Sequence, residues 1–224
     1  MQHQGSSVNP GRQSEPHAHA IMIDPDNRYA FAPDLGLDKI LIYQLDLDNG
    51  KLNANTQPWA RVHPGAGPRH LDFHPNGKYA YVINEIDSTF TAFRYDANTG
   101  SLTEIQSIST LPEDFDGTSH CADVHVHPSG KFLYGSNRGH DSIVICEIDQ
   151  ETGMLSYLGC ESTRGQAPRN FGLNPEGTFL LAANQQTSNI VTFAVNPDSG
   201  ELTETGNVAE VPNPVCLKML ACSA

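Results

Sequence analysis

The sequence predicts an all-β fold, a β-propeller of four-stranded antiparallel blades, from three observations. The first is a proline turn repeated four times: Asp24-Pro25-Asp26-Asn27, His74-Pro75-Asn76-Gly77, His127-Pro128-Ser129-Gly130 and Asn174-Pro175-Glu176-Gly177. The second is a later turn ending in Gly with a Leu two residues on: Gly50 and Leu52, Gly100 and Leu102, Gly153 and Leu155, Gly200 and Leu202. The proline-to-glycine distance is 25 residues in every copy, while the distance from glycine to the next proline is 25, 28 and 22. A period of this length built from short strands marks propeller blades. The third is the absence of any convincing helical period.

The second copy justifies its four strands in order. Arg69 to Phe73 alternates apolar and polar, as a half-buried strand does. Asn76-Gly77 tolerates the positive φ of a tight hairpin, and Tyr79 to Asn84 returns. Thr89 to Tyr95 is rich in Thr, Phe and Tyr and reads as the third strand. Leu102 to Ser107 follows the Asp96–Gly100 turn as the fourth. The same reading places blades at about 17–62, 67–112, 120–162 and 167–210 within one domain spanning 1–224. A further strand is expected over 214–220, because Pro214 to Met219 copies the start of a blade. Four blades and one strand are expected to be a very small ring, a fragment, or one partner of a dimer that completes the ring, with open blade edges available for self-association.

The chain has 224 residues and a formal net charge of −13. That charge argues against nucleic acid or an anionic membrane as partner, since phosphate contacts need clustered Lys and Arg. No apolar run approaches the ~18 residues of a membrane helix. The polar Met1–Gln13 stretch does not read as a signal peptide, so a cytoplasmic location is expected. Five cysteines, Cys121, Cys146, Cys160, Cys216 and Cys222, match no zinc spacing and read as free thiols of a reducing compartment.

In a blade, the innermost strand leaves one rim and the second strand returns to it. Residues six before and ten after each proline are therefore neighbours on the rim opposite the proline turn. The first slot holds His19, Arg69, Ala122 and Arg169; the second holds Leu35, Glu85, Arg138 and Gln185. Two positions further upstream lie His17 and His120. The copies diverge here into charged and polar residues, and loops at one end of a rigid scaffold commonly carry function. A ligand site is expected at this rim. Three features read as structural: the Asn repeated at 84, 137 and 184, and the turn residues His74 and His127. The pairs His17/His19 and His125/His127 lack a third ligand for a metal, so no metal is expected. Ser119, His120 and Cys121 lack the glycine pattern of a nucleophile elbow.

At these residues the chain resembles the seven-bladed lactonase propellers, the family of bacterial 6-phosphogluconolactonases and of a muconate-lactonizing enzyme. The resemblance runs from Gln2 to the end. It is carried by Gly5-Ser-Ser-Val-Asn-Pro10, Pro16-His-Ala-His19, Asp34-Leu-Gly-Leu-Asp38, Gly67-Pro-Arg-His-Leu-Asp-Phe-His-Pro75, Asn84-Glu85, Ser136-Asn-Arg-Gly-His-Asp-Ser142, Ala167-Pro-Arg169, Ala183-Asn-Gln185 and Pro214-Val-Cys216. It covers the C-terminal portion of a seven-bladed ring. It implies opening of a sugar lactone, most specifically 6-phosphoglucono-1,5-lactone, with no cofactor. The alternatives are lactonization of a dicarboxylate or a non-catalytic anion- or protein-binding module. Its site residues map to His17 or His19, Arg69, Glu85 and Arg138. Glu85 or His19 would act as base, and Arg69 and Arg138 would hold the oxyanion or the phosphate. Arg169, Gln185, His17 and His120 would extend the binding surface.

Overall fold

The computed structural model describes residues 1–219, and they contain sixteen strands and no helix. Cys222 and the last residue of the expected 214–220 strand lie outside this range. The strands form four antiparallel four-stranded sheets in two compact units, Met1–Ile108 and the chain from Ser109 onward.

In the first unit, blade 1 comprises β1 (Met22–Ile23), β2 (Tyr29–Asp34), β3 (Lys39–Asp46) and β4 (Lys51–Arg61). Blade 2 comprises β5 (Pro68–Phe73), β6 (Tyr79–Asn84), β7 (Thr89–Asp96) and β8 (Ser101–Ser109). In the second, blade 3 is β9 (His120–Val126), β10 (Phe132–Arg138), β11 (Ser142–Ile148) and β12 (Leu155–Ser162). Blade 4 is β13 (Pro168–Leu173), β14 (Phe179–Asn184), β15 (Asn189–Val195) and β16 (Leu202–Glu210). Within each sheet the strands lie in sequence order, the meander that short hairpin turns produce.

Two expectations need amendment. The first strand of blade 1 is reduced to Met22–Ile23 plus a single bridge between Ala18 and Asp34. Residues 214–219 form no strand, since among the described residues none lies beside them as a ladder partner. The segment is fastened instead by a side chain, the Leu217 amide donating to Asn170 Oδ1 at 2.5 Å.

The second strand of blade 2 is buried along its whole length, Tyr79 to Asn84, because apolar side chains cover both of its faces. Between blades 1 and 2, Phe31, Ile40 and Ile42 pack with Leu71, Ala80, Val82, Phe93 and Tyr95. Between blades 3 and 4, Phe132, Tyr134, Ile143 and Ile145 pack with Phe171, Leu180, Ala182, Val191 and Phe193. Each fully buried aromatic or aliphatic side chain contributes about 1.5–3 kcal/mol.

The repeated turns bind one blade to the next. Gly100 has φ +64, and a Cβ there would come 2.4 Å from the Tyr29 ring of the preceding blade. Gly200, φ +73, bears the same relation to Phe132, at 2.7 Å. The spacing from proline to glycine thus fixes an aromatic-on-glycine contact between neighbouring sheets. Hydroxyl bonds reinforce it: Tyr29 donates to the Asn98 carbonyl at 3.0 Å and Tyr134 to the Gly200 carbonyl at 2.8 Å. His74 and His127 are turn residues, each accepting an amide two residues on through Nδ1 at 3.1 Å.

Candidate active site

The rim slots are neighbours in the backbone. The amides of Leu35, Glu85 and Gln185 donate to the carbonyls of His17, Gly67 and Ala167 at 3.0, 2.7 and 3.0 Å. In blade 3 the corresponding residues, His120 and Arg138, face each other across β9 and β10.

Every blade breaks register at this point. Pro68 pairs with Asn84 but His70 with Ile83, which makes Arg69 the extra residue of a bulge. Arg169 is the extra residue in blade 4, between Pro168 paired with Asn184 and Asn170 paired with Ala183. In blade 3 the break falls at Ala122 and Asp123. In blade 1 it falls between the Ala18 bridge to Asp34 and the pairing of Met22 with Phe31. A bulge suspends the strict alternation of faces and re-aims its side chains. Arg69 and His70 can therefore touch although they are adjacent, with Nη1 and Nε2 3.2 Å apart.

In the first unit a compact charged cluster results. Arg69 Nε donates to Glu85 Oε2 at 2.8 Å, and Arg12 Nη2 donates to Glu85 Oε1 at 2.5 Å. The Arg69 side chain is 2% exposed and that of Glu85 8%, whereas that of Arg12 is 41% exposed. The rings of His19 and His70 lie 5.2 Å apart, so His19, itself exposed, adjoins the Arg69 end of the cluster. Sequence reasoning thus placed His19, Arg69 and Glu85 in one neighbourhood and missed Arg12 and His70. Arg12 sits 73 residues from its partner, and His70 would face away from Arg69 in a regular strand.

Arg12 is held in place by a built loop. The Ser7 amide donates to the Gln13 carbonyl at 2.9 Å, and the buried Asp38 accepts from Ser7 Oγ at 2.5 Å and from Gln13 Nε2 at 2.7 Å. Asp38 also accepts the amides of Gly65 and Gly67, at 2.7 and 2.8 Å. One carboxylate thereby ties the Arg12 loop to the segment that leads into Arg69.

His17 is exposed and donates its amide to the buried Asp34 at 2.7 Å. Asp34 also lies 2.5 Å from His3 Nδ1, and His3 Nε2 lies 2.8 Å from the Tyr43 hydroxyl. Burial first, and the Asp34 charge second, push the Tyr43 phenol up from its ordinary 10.0. His3, His19 and Tyr43 share the lining of one cleft in blade 1.

In the second unit, Arg138 is half-buried and donates to the Cys121 carbonyl at 2.9 Å. His120 Nδ1 is buried without a hydrogen-bond partner among the described residues. Arg169 and Gln185 are both half-buried. The repeated asparagines are structural. Asn137 Nδ2 and Asn184 Nδ2 donate to the carbonyls of Thr110 and Thr163, each at 2.9 Å. Asn84 Nδ2 donates to the hydroxyls of Thr89 and Thr91, also at 2.9 Å.

Residues 1–219 match the model of the family described as lactonase, 7-bladed beta-propeller. The chain belongs to the seven-bladed lactonase propeller family. Its relatives in that family include a 6-phosphogluconolactonase of Bacillus subtilis, 41% identical over 93% of this chain and 59% of the relative. A 6-phosphogluconolactonase of Formosa agariphila is 38% identical over 98% of this chain and 62% of the relative. Among solved structures, a periplasmic gluconolactonase of Pseudomonas aeruginosa superposes with a TM-score of 0.92 at 34% identity. That match covers 99% of this chain and 61% of the other. The chain therefore spans about 60% of the length of the lactonase propellers it matches. No helix of the described residues is long and apolar enough to cross a membrane.

Proposed function

We propose that this chain carries the site of a lactone hydrolase acting on an anionic sugar lactone, most specifically 6-phosphoglucono-1,5-lactone. The observation that carries the reading is the Glu85 carboxylate bracketed by Arg12 and Arg69, with His70 against Arg69 and His19 against His70. The names of the relatives support the substrate class.

Opening the ring requires a base to activate water, a cation near the carbonyl oxygen as it becomes an oxyanion, and a proton for the departing ring oxygen. Glu85 has one oxygen on each guanidinium, so its first role is to position Arg69 and Arg12. His19 is exposed and has an imidazole able to take and return a proton, which makes it the better-placed base. Arg69 is assigned the oxyanion, a role that requires it to turn from its buried pair with Glu85 toward the substrate. In the second unit Arg138 is assigned a cation role and Arg169, Gln185 and His120 binding roles; in the first unit His17 is assigned a binding role. The compartment is proposed to be the cytoplasm.

One observation favours a second reading, an anion-binding module without turnover: Arg69 is almost wholly buried and therefore cannot meet a substrate without rearrangement. The deciding assay measures 6-phosphoglucono-1,5-lactone opening above its spontaneous rate, with His19→Ala and Arg69→Ala as controls. Turnover that falls by orders of magnitude in both controls supports the hydrolase. A folded chain that opens no lactone removes it.

A further inference from the structure

The Arg69–Glu85 pair cancels its own charge inside the protein. The surplus positive charge of the cluster sits on Arg12, the member most open to solvent among its charged residues. The backbone of Arg12 is fixed by the Ser7–Gln13 loop and by Asp38, so the anchored stem presents a guanidinium at the surface of the site. A guanidinium offers five N–H donors in a planar fork, and one contact to Glu85 Oε1 leaves the others available. A phosphate monoester presents three oxygens that match such a fork.

We propose that Arg12 is the anion-recognition residue of this site, the group that favours a phosphorylated lactone over a neutral one. The identity of the substrate rests on the lactonase reading above; the placement of the charge does not. Arg12 would grip the phosphoryl oxygens from the solvent side while Glu85 keeps the guanidinium aligned. A residue serving merely as a brace for Glu85 would affect every substrate alike, whereas an anion reader discriminates between them.

The test compares the chain with R12A and R12Q, the latter keeping a donor for Glu85 while removing the charge. Each is assayed with 6-phosphoglucono-1,5-lactone and with uncharged glucono-1,5-lactone, and each is titrated with 6-phosphogluconate. Both variants should raise KM for the phosphorylated lactone and weaken 6-phosphogluconate binding by about 10- to 100-fold, the range for a lost charge-assisted hydrogen bond. The preference for the phosphorylated over the neutral lactone, as a ratio of kcat/KM, should fall by about tenfold or more. Equal losses on both lactones, or a fall in kcat with KM unchanged, would overturn the proposal. If the parent chain opens neither lactone, the hydrolase reading fails and the titration decides Arg12. Binding that weakens in both variants upholds the role. No binding by the parent chain, or binding unaffected by R12Q, ends it.

Discussion

Blades 2 and 4 place the same residue type in the same slot and obtain different results. Each has an arginine as the extra residue of a bulge, six positions before its proline. In blade 2 the facing slot holds Glu85, and Arg69 is drawn into a buried ion pair that also engages Arg12. In blade 4 the facing slot holds Gln185, and Arg169 remains half-buried with no ion pair among the described residues. The backbone is alike in both, down to the amide bond from the later slot to the residue eight before the proline. The scaffold therefore supplies a position and the facing side chain supplies the chemistry. Burying a charge is costly without a partner, so Glu85 is what permits Arg69 to be buried.

The contrast can be broken most forcefully at Arg69. Arg69→Ala should remove lactone turnover by orders of magnitude and destabilise the fold by about 3–5 kcal/mol, because Glu85 would be left buried with less compensation. Arg169→Ala should alter stability by about 0.5 kcal/mol or less. Urea denaturation measures both, and equal costs at the two sites would refute the distinction.

The next effect lies in the contacts between blades. Gly100→Ala must strain a positive φ and push into the Tyr29 ring, whereas Gly50→Ala has a similar φ of +61 and open space around it. Backbone strain costs roughly 1–2 kcal/mol at each, and overpacking adds about 1–3 kcal/mol at Gly100. Thermal unfolding of the two variants reports the difference, and identical melting temperatures would mean that the ring yields without cost.

A smaller effect sharpens the comparison from the other side. Gln185→Glu gives blade 4 the blade 2 arrangement, yet Arg169 is half-buried. The new pair should add about 1 kcal/mol or less, and its benefit should decline with salt. A gain as large as the loss in Arg69→Ala would show that burial is not the deciding variable.

The smallest effect is a difference in thiol reactivity. Burial, with the neighbouring Cys160 second, pushes the Cys146 thiol up from 9.0 to about 12, while Cys216 is exposed. A raised pKa means the folded state holds its proton longer than the unfolded chain does. The contribution of the neutral thiol is thus fully present below 9.0 and is lost as pH rises through about 12. Iodoacetamide at about pH 8 should modify Cys216 in the native chain and reach Cys146 only after denaturation, as read by mass spectrometry. Equal labelling of both in the native chain would contradict the burial.

Much of this was legible in the residues because it is local. The proline and glycine turns, the strand alternation between them and the fixed 25-residue spacing all act through neighbouring backbone, and each copy checks the others. The rim slots followed from counting, and the backbone bonds at Leu35, Glu85 and Gln185 place them side by side. The bulge was not legible, since one extra residue in a strand leaves the apolar pattern almost intact. Its consequence, His70 beside Arg69, was missed for that reason.

By itself the sequence determined the all-β class, the four-stranded unit and the rim on which its copies diverge, because turn chemistry and side-chain periodicity are properties of short segments. The tertiary structure alone decided that Arg69 is buried, that Arg12 comes from 73 residues away to share Glu85, and that His19 meets His70. Charge pairing and burial depend on which distant segments are brought together, and no spacing along the chain encodes that distance.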